Sequence, residues 1–344
     1  MKRMLFVMFL VTLMLPCAAL ADSRSPRKII IDTDTAADDA CALILAVCSR
    51  EVEIEGVSVL AGNVSLEQAT RNALAALEVA GASVPVYKGS DTRYDGTPIR
   101  PVSVFGKDGM GEMDLIHPTG EAQEKDAIDF ILDTVRSNPG EIEIVVLGPA
   151  TNIARAIDRD PETMKQVKRI WTMGTTGIYG SGNASPVSEF NVYLDAQAYS
   201  RLLEFGVPVT VIGLDVCGGE NKWTDAFFDK LAAFNRIGKF VNDSFTKIRE
   251  FYAGNGSAGS VMNCDGTAMM CVVCSDYITD SKKCHGSCIT DPGETYGQVI
   301  FYQEGFQYDL ITGDFDYNVT VVSDVDYRKS FMEFLYRTAS KDAF

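Results

Sequence analysis

Short apolar runs without polar alternation recur along the first two thirds of the chain, and most are followed by a segment with helical spacing of its apolar residues. Such runs predict strands covered on both faces, because a strand with one face in water alternates apolar and polar residues. Strands that alternate with helices are typical of βαβ units and a mostly parallel sheet. The pattern predicts strands at 28–31, 54–60, 142–147, 167–173 and 209–214, and helices at 38–48, 66–80, 127–135, 151–157 and 196–205.

The pattern changes after about residue 224. The glycine- and serine-rich segment Gly254–Ser260 interrupts the helical spacing, and we expect it to be mobile and to lie over a site, as such segments often do. We predict an α/β fold with an open, mostly parallel sheet of Rossmann-like type, helices on both faces and a helical elaboration toward the C-terminal part. The later elements are predicted as helices at 226–234, 240–251, from about 265, and 327–339, and as strands at 298–302 and 317–322.

The first 21 residues resemble a secretory signal peptide in their order of charge and polarity. Lys2-Arg3 precedes an apolar run at 5–15, and residues 19–21 (Ala-Leu-Ala) have the small side chains of a cleavage site. The run is too short to span a bilayer comfortably. We therefore expect residues 1–21 to be a signal peptide and residues 22–344 to form one domain of an exported protein.

Composition and charge exclude several classes of function. The chain has 344 residues and is 46% hydrophobic, which supplies a sizeable core and excludes intrinsic disorder. Acidic residues outnumber basic ones by 47 to 31, and the formal net charge is −16. Nucleic acids and anionic membrane surfaces attract clustered basic residues, so we expect neither as a partner. A small ligand, or a ligand held through a metal ion, fits this charge better.

Four carboxylates fall within eight residues where the first predicted strand meets its helix, namely Asp32, Asp34, Asp38 and Asp39. In open α/β sheets, ligands bind at the carboxyl ends of the strands. A helix N-cap and surface charges explain one or two acids, but four crowded carboxylates repel unless a cation neutralises them or one is protonated. Carboxylate oxygens suit a hard ion such as Ca²⁺ or Mg²⁺, so we predict a metal site here.

The same segment allows one alternative interpretation. A phosphatase of the haloacid-dehalogenase type also begins with an apolar strand followed by Asp-x-Asp. Such enzymes usually have Thr or Val two residues after the second Asp, where this chain has Ala36, and the pair Asp38-Asp39 has no role in that scheme. The phosphatase is therefore the weaker interpretation.

The segment Asp32–Asp39 resembles the D-x-D-P-G-x-D-D signature of the inosine–uridine-preferring nucleoside hydrolases. The resemblance implies the nucleoside hydrolase fold, hydrolysis of the N-glycosidic bond of ribonucleosides to free base and ribose, and a homo-oligomer, either a dimer or a tetramer. Further matching segments follow in order over essentially the whole mature chain: Gly62-Asn63-Val64-Ser65, Gly109-Met110-Gly111, Leu147–Ala154, Met173-Gly174, Asn183-Ala184-Ser185, Ser188–Asn191 and Gly213-Leu214-Asp215.

The resemblance also implies the residues of the site. Asp34 would take a proton from the water that attacks the anomeric carbon, and an anionic site would stabilise the oxocarbenium-like transition state. The implied ligands of a Ca²⁺ ion are Asp34, Asp39, the main-chain carbonyl of Leu147 and Asp265, with Asp32 behind them. The implied ribose contacts are Asp38 and Asn63 at the 2′/3′ side, Asn191 and Asp265 at the 3′-hydroxyl, Asn183 and Glu189 at the 5′-hydroxyl, and Met173 against the sugar.

Some positions depart from the family pattern or bear on the base. Thr35-Ala36 replaces the Pro-Gly of the signature, so Ala36 must avoid a positive φ. Cys264 stands where nonspecific members have His and purine-specific members have Trp, which makes a neutral thiol the candidate leaving-group acid. Phe105 is either a base-stacking residue or a core anchor of its loop, and Tyr252 matches a family tyrosine that closes over the base. Because a pyrimidine depends more on direct protonation than a purine, we expect a preference for purine nucleosides.

Five cysteines crowd into the last third of the chain at positions 264, 271, 274, 284 and 288. Their spacing resembles a zinc pattern, but in an exported chain we favour disulfides or buried free thiols over zinc. The triplets that begin at Asn63 and Asn183 are N-glycosylation sequons at expected ribose contacts. A glycan there would block the pocket, so bacterial export, to the periplasm or the medium, fits better than a eukaryotic secretory pathway.

A third interpretation is a non-catalytic exported protein that binds nucleosides or ribose. It would keep the same pocket without the leaving-group acid. Asp34 favours the enzyme, because binding alone does not need a base beside the metal.

Overall fold

The computed structural model describes residues 25–102, 104–256, 259–274, 276–305 and 315–342. The expected signal peptide lies outside the described residues, as do positions 257 and 258 of the segment expected to be mobile. The strands are β1 (Arg27–Thr33), β2 (Val52–Val59), β3 (Val86–Lys88), β4 (Glu143–Val146), β5 (Arg169–Met173), β6 (Val209–Ile212), β7 (Trp223–Thr224), β8 (Ser260–Val261), β9 (Ile278–Cys288), β10 (Val299–Gln303) and β11 (Val319–Val325).

Helices connect most of the parallel strands. They are α1 (Ala37–Cys48), α2 (Leu66–Val79), α3 (Ala127–Ser137), α4 (Thr151–Arg159), α5 (Pro161–Met164), α6 (Phe190–Leu194), α7 (Ala196–Leu203), α8 (Leu214–Cys217), α9 (Asp225–Phe234), α10 (Arg236–Ser244), α11 (Thr246–Gly254), α12 (Cys264–Val273) and α13 (Tyr327–Asp342).

Nine of the strands form one sheet in the order β10-β9-β11-β6-β5-β4-β1-β2-β3. The strands from β11 to β3 in this order pair in parallel, and β9 pairs antiparallel with both β10 and β11. Strand β1 lies between β2 and β4, so its carboxyl end is flanked by the ends of both neighbours. The sheet confirms the predicted α/β fold.

Two clusters of buried apolar side chains cover the two faces of the sheet. Ile29 and Ile31 belong to the cluster that includes α1, α2 and α12, and Ile30 belongs to the cluster that includes α3, α4 and α7. All three isoleucines are fully buried. Successive side chains of a strand point to opposite faces, so burial of both faces requires apolar side chains at the consecutive positions Ile29, Ile30 and Ile31. The absence of alternation in its sequence follows from that double burial.

The sequence expectations omit the short elements β3, β7, β8, α5, α6 and α8, and the structure differs from them in two longer segments. The helix predicted at 240–251 is two helices, α10 and α11, which meet at the fully buried Phe245. The Phe245 ring lies 5.3 Å from that of Phe228 and 5.7 Å from that of Trp223, so it anchors the break in the core. Strand β9 is not among the predicted strands, because its sequence is mostly polar and only three of its eleven residues are buried.

The clustered cysteines do not assemble a zinc site. Cys271 and Cys274 lie in the apolar cluster beside α1, whereas Cys284 and Cys288 lie in the cluster on the opposite face of the sheet. All four are buried thiols. Of the two preferred interpretations, the structure therefore agrees with buried free thiols. The helices in the described ranges include none that is both long and apolar enough to cross a membrane.

Candidate active site

Five aspartates meet beneath one end of the sheet. Asp32 is near the end of β1 and Asp34 follows that strand, while Asp38 and Asp39 occupy the first turn of α1. Asp265 is the second residue of α12, which packs against α1. All five are buried. The fold therefore brings the distant Asp265 to the four acids that are close in sequence.

The Asp34 carboxylate sits in a cradle formed by the backbones that follow β2 and β4. Its Oδ2 accepts the N–H of Asn63 at 2.5 Å. A Cβ at Gly62 would lie 2.1 Å from Asp34 Oδ2, and one at Gly148 would lie 2.8 Å from Oδ1. Real Cβ atoms do not approach so closely, so glycine is needed at both positions. Within the described residues, Asp34 Oδ1 has no hydrogen-bond partner.

The turn between Asp34 and α1 is closed by hydrogen bonds to Asp39. Its Oδ1 accepts the Thr33 hydroxyl at 2.6 Å, and its Oδ2 accepts the Ala36 N–H at 2.8 Å. Ala36 has a φ of −108°, which any residue with a Cβ adopts. The replacement of Pro-Gly by Thr35-Ala36 is therefore compatible with a normal backbone.

No basic side chain among the described residues compensates the charge of these carboxylates. Their pKa values are therefore raised. Burial raises the pKa of Asp32 to about 7, that of Asp38 to about 8 and that of Asp39 to about 6. The same desolvation, followed by the charge of Asp39, raises the pKa values of Asp34 and Asp265 well above the usual range. Removing these groups from water opposes ionisation, and their mutual repulsion opposes it further.

These acids fit a bound cation. Asp38, Asp39 and Asp265 each offer an oxygen within 4.8 Å of the others. Asp34, Asp38 and Asp265 each keep one buried oxygen for which the described part of the chain supplies no hydrogen bond. An all-oxygen set of this kind suits a hard ion. The geometry includes Asp38 in the trio of acids, whereas the sequence assigned it to the ribose alone.

A carboxylate and an amide side chain stand at the start of α6. Asn191 Nδ2 donates to the carbonyl of Leu147 at 2.7 Å and to that of Met173 at 3.4 Å, which ties α6 to the ends of β4 and β5. Glu189 caps α6 through the N–H of Val192 at 3.1 Å. Burial raises the pKa of Glu189 to about 7 against the opposing effect of backbone hydrogen bonds.

A cavity of about 170 Å³ opens above this floor. Ten of the residues expected to contact substrate or leaving group line it: Asp38, Asn63, Phe105, Met173, Asn183, Glu189, Asn191, Tyr252, Cys264 and Asp265. The remaining expected ligands, Asp34, Asp39 and Leu147, are fully buried. The sequence analysis missed six lining residues: Val102, Val104, Phe190, Ile248, Phe251 and Met262. Spacing could have indicated two of them, since Ile248 and Phe251 share a helix face with Tyr252 at i, i+3 and i+4.

The profile of the family described as inosine–uridine preferring nucleoside hydrolases matches residues 29–332. This chain belongs to that family. Nucleoside hydrolases split the N-glycosidic bond of ribonucleosides, so the protein is an N-ribosyl hydrolase. The family match favours this activity over the phosphatase and the non-catalytic binding protein.

The sequence relatives of this nucleoside hydrolase include plant and bacterial proteins. Uridine nucleosidase 1 of Arabidopsis thaliana is 34% identical over 258 residues, which are 74% of this chain and 76% of that protein. The non-specific ribonucleoside hydrolase RihC of Escherichia fergusonii is 31% identical over 277 residues, or 80% of this chain and 88% of that protein.

A solved structure shows the same fold. The purine-preferring ribonucleoside hydrolase from Gardnerella vaginalis superposes with a TM-score of 0.82 at 28% identity, over 92% of this chain and 99% of that chain. A plant nucleoside hydrolase superposes with the same TM-score, identity and coverage. The fold of this hydrolase is therefore that of known nucleoside hydrolases.

Two protic side chains, those of Cys264 and Tyr252, also line the hydrolase cavity. Cys264 is half-buried, and the Cys217 Sγ lies 3.9 Å from its carbonyl oxygen. A hydrogen bond with the Cys217 thiol, together with burial, raises the pKa of Cys264 well above its usual range. Burial likewise raises the pKa of Tyr252 to about 12. Both groups are therefore protonated at neutral pH, and both are weak acids.

Proposed function

We propose that this nucleoside hydrolase is Ca²⁺-dependent, uses Asp34 as its base and favours purine nucleosides. The observation that carries the proposal is that Asp34, Asp38 and Asp265, like Asp32 behind them, each keep a buried oxygen without a hydrogen-bond partner among the described residues. Buried charges are costly unless they are paired or coordinate a metal. A hard divalent cation satisfies these oxygens, and Ca²⁺ accepts the six to eight oxygen ligands that such a pocket can provide.

The residues that would hold Ca²⁺ are Asp34, Asp39, Asp265 and the carbonyl of Leu147. Asp38 is a further candidate, because its oxygen lies within 4.8 Å of those of Asp39 and Asp265. When bound, Ca²⁺ supplies positive charge that keeps the aspartates ionised and lowers the pKa of a nearby water. The Leu147 carbonyl already accepts the Asn191 amide at 2.7 Å and has a second lone pair for an ion.

Asp34 acts as the base in this mechanism. Its Oδ2 is fixed by the Asn63 N–H at 2.5 Å, while its Oδ1 remains available to accept a proton from the attacking water. Asp32 lies behind it and is oriented by the Ser58 hydroxyl and by Asn152 Nδ2, the latter at 2.8 Å. The neighbouring carboxylates stabilise the positive charge that develops on the ribosyl ring.

The ribose is oriented by the side chains around the acids. Asn63 and Asp38 line the cavity, as do Asn191 and Glu189. We assign the first pair to the 2′/3′ side of the sugar, Asn191 with Asp265 to the 3′-hydroxyl, and Glu189 with Asn183 to the 5′-hydroxyl. Met173 packs against the sugar. Several fixed polar groups of this kind orient a sugar better than one, because each hydroxyl finds its own partner.

The base lies among Phe105, Tyr252 and Phe251, with Cys264 as the nearest candidate acid. A thiol with a strongly raised pKa is a weak proton donor. A purine can take a proton at N7 from solvent, whereas a pyrimidine has no equivalent nitrogen. The printed names of relatives include both a uridine nucleosidase and a purine-preferring hydrolase, so the proposal depends on the residue at position 264.

Ribose release from inosine and uridine, after chelation and with Ca²⁺ restored, tests this function. We expect Ca²⁺ to restore activity and kcat/KM for inosine to exceed that for uridine by at least about tenfold, or ~1.4 kcal/mol of transition-state discrimination. Equal efficiencies would contradict the purine preference. If added Ca²⁺ changes neither the activity nor the thermal stability of the enzyme, the proposed metal site is wrong.

Replacing the thiol sharpens the test of the leaving group. Cys264→His supplies an imidazole, so it should raise kcat/KM for uridine relative to that for inosine. The matched control is Cys284→Ser, a buried thiol on the opposite side of the sheet, which should leave the ratio unchanged. If both variants keep the wild-type ratio, position 264 does not set base preference.

We also propose that the mature enzyme is exported and oligomeric. The basic start, apolar run and Ala-Leu-Ala site at 19–21 support cleavage of residues 1–21. Mass spectrometry of the protein secreted by its own host should find Asp22 as the first residue. A chain that retains residues 1–21 would contradict export by cleavage. Sedimentation should give the mass of a dimer or a tetramer, and a monomer at micromolar concentration would contradict the oligomer.

A further inference from the structure

Asn72 joins two segments of the site without facing the cavity. It lies on α2 and is fully buried. Its Nδ2 donates to the carbonyl of Thr35 and to the carbonyl of Asp108, each at 2.8 Å. Its Oδ1 accepts Gln68 Nε2 at 2.9 Å. One amide group thus bridges two backbone carbonyls that are far apart in sequence.

Each bridged carbonyl belongs to a different part of the pocket. Thr35 follows Asp34 directly, in the turn that carries the carboxylates into α1. Asp108 lies in the segment Phe105–Glu112, which we call the base-side loop because Phe105 at its start lines the cavity. The amide therefore connects the floor that holds the acids to the wall proposed for the base.

The base-side loop is internally bonded, so it can move only as a unit. The Gly109 N–H donates to the Gly106 carbonyl at 3.1 Å, and the Gly111 N–H donates to the Phe105 carbonyl at 3.0 Å. The Asp108 carboxylate accepts the Met110 N–H at 2.8 Å. A shift at Asp108 would therefore be transmitted to Phe105.

Close packing seats the loop against Asn72. Gly109 has a φ of +71°, and a Cβ there would lie 2.8 Å from Val64 Cγ1 and 3.2 Å from Asn72 Nδ2. Val64 is the neighbour of Asn63, whose N–H fixes Asp34. Asn72 thus contacts the loop at the point where it meets the segment after β2.

We propose that Asn72 is a positioning residue that sets the distance between Phe105 and the ribose-binding acids. The inference rests on the proposed assignment of Phe105 to the base. Without the amide, Asp34 and Asp39 keep their own hydrogen bonds to Asn63, Thr33 and Ala36. The base-side loop keeps its contact with the outer helices through Glu112 and Lys247 at 3.8 Å. Loss of the amide therefore changes the distance between the base-side loop and the floor, and leaves the floor itself unchanged.

Comparing Asn72→Ala with Asn318→Ala tests this role. Asn318 Nδ2 also bridges two backbone carbonyls, those of Leu203 and Val207, each at 3.2 Å, but on the opposite side of the sheet. We expect Asn72→Ala to raise KM for inosine at least about tenfold, because small displacements of a substrate-positioning group have large kinetic effects. The inhibition constant of free ribose, which has no base, should change by less than about twofold. Asn318→Ala should leave both constants unchanged.

A double-mutant cycle with Phe105→Ala gives the deciding result. If Asn72 acts through Phe105, the two changes together should cost little more in kcat/KM than Phe105→Ala alone. Effects that multiply, or a ribose inhibition constant that rises as much as KM for inosine, would overturn the inference. An inactive wild type would instead contradict the proposed function.

Asn72→Ser, which keeps one donor and cannot bridge both carbonyls, is the second variant if Asn72→Ala does not fold. It should show the same separation of the KM for inosine from the ribose inhibition constant. Failure of both variants to fold would make Asn72 a structural residue and would also overturn the inference.

Discussion

Buried carboxylates at the two ends of the central strands have opposite environments. Glu143 opens β4 and is buried, yet it accepts Trp171 Nε1 at 2.9 Å and pairs with Arg27 at 2.7 Å and Lys168 at 3.0 Å. At the other end of the same strands, Asp34 and Asp38 are buried with unpartnered oxygens. Strands β1 and β4 thus have a compensated acid at one end and uncompensated acids at the other.

The pKa values of the buried acids at the two ends are therefore shifted in opposite directions. Burial alone would raise the pKa of Glu143, but the Trp171 hydrogen bond and the charges of Arg27 and Lys168 lower it below its ordinary value. Burial raises the pKa of Asp38 to about 8. A buried acid that is paired within the chain has a structural role. A group of unpaired buried acids requires an ion or a ligand from outside the chain. This contrast separates a structural carboxylate from those of a binding site.

Removing one carboxylate at each end should give the largest contrast in activity. Asp34→Asn keeps an oxygen and removes the proton acceptor, so kcat for inosine should fall by about 10²- to 10⁴-fold. Glu143→Gln should leave kcat within about twofold, because that carboxylate is at the other end of the strands. Steady-state kinetics at saturating Ca²⁺ measures both. Near-normal turnover by Asp34→Asn would remove Asp34 from the mechanism.

The two variants should rank in the opposite order when stability is measured, because Glu143→Gln should then show the larger loss. Glu143→Gln loses two ion pairs to a buried carboxylate, and we expect the free energy of unfolding to fall by about 2 kcal/mol. Asp34→Asn, studied in chelator, removes a buried charge from a crowded group and should not destabilise the fold. Urea denaturation followed by circular dichroism measures both changes. A destabilised Asp34→Asn in chelator would mean that the acids are compensated from within the chain.

The pH dependence of stability should also differ between the ends. Folded-state pKa values of about 6 for Asp39 and about 8 for Asp38 exceed the ordinary value of 3.8, so the folded state binds more protons than the unfolded one across this range. In chelator, stability should therefore fall as the pH rises from about 4 to about 8. Glu143, with a lowered pKa, contributes stability that is lost only as the pH falls below its ordinary value of 4.5.

Calcium should counteract this loss of stability. The rise in Tm on adding Ca²⁺ at different pH values measures the effect. A cation that binds only the folded state adds about 2.7 kcal/mol at a hundredfold excess over its dissociation constant. Because protons compete with the cation for the same oxygens, the rise in Tm on adding Ca²⁺ should be larger at pH 8 than at pH 5. An equal rise at both values would show that the ion binds away from these aspartates.

Some parts of the fold and site follow directly from the sequence, and others depend on contacts between distant residues. The parallel strands are visible because double burial makes consecutive positions apolar, as at Ile29–Ile31 in β1. Strand β9 is hidden because it lies near the sheet edge, where exposed residues such as Ser281 and Lys283 interrupt the apolar pattern. The break at Phe245 is equally hidden, since a buried aromatic residue fits a continuous helix as well as a junction.

The site shows the same division. Acids and amides that follow strands can be found from their position, as with Asp34 after β1 and Asn63 after β2. A buried amide inside a helix, such as Asn72, has no local signature, because its partners Thr35 and Asp108 are distant in sequence. Its importance appears only when the fold brings those carbonyls together.

The glycine cradle around Asp34 has a consequence for how this enzyme can diversify. The main chain at Gly62 and Gly148 leaves no room for a side chain, so the catalytic floor admits almost no variation. The wall that we propose for the base includes Phe105 and Phe251, which lie on segments outside the central sheet. Mutation can therefore alter which base is accepted while the sugar chemistry stays fixed. Directed evolution of new base preferences should concentrate its accepted changes in these outer segments.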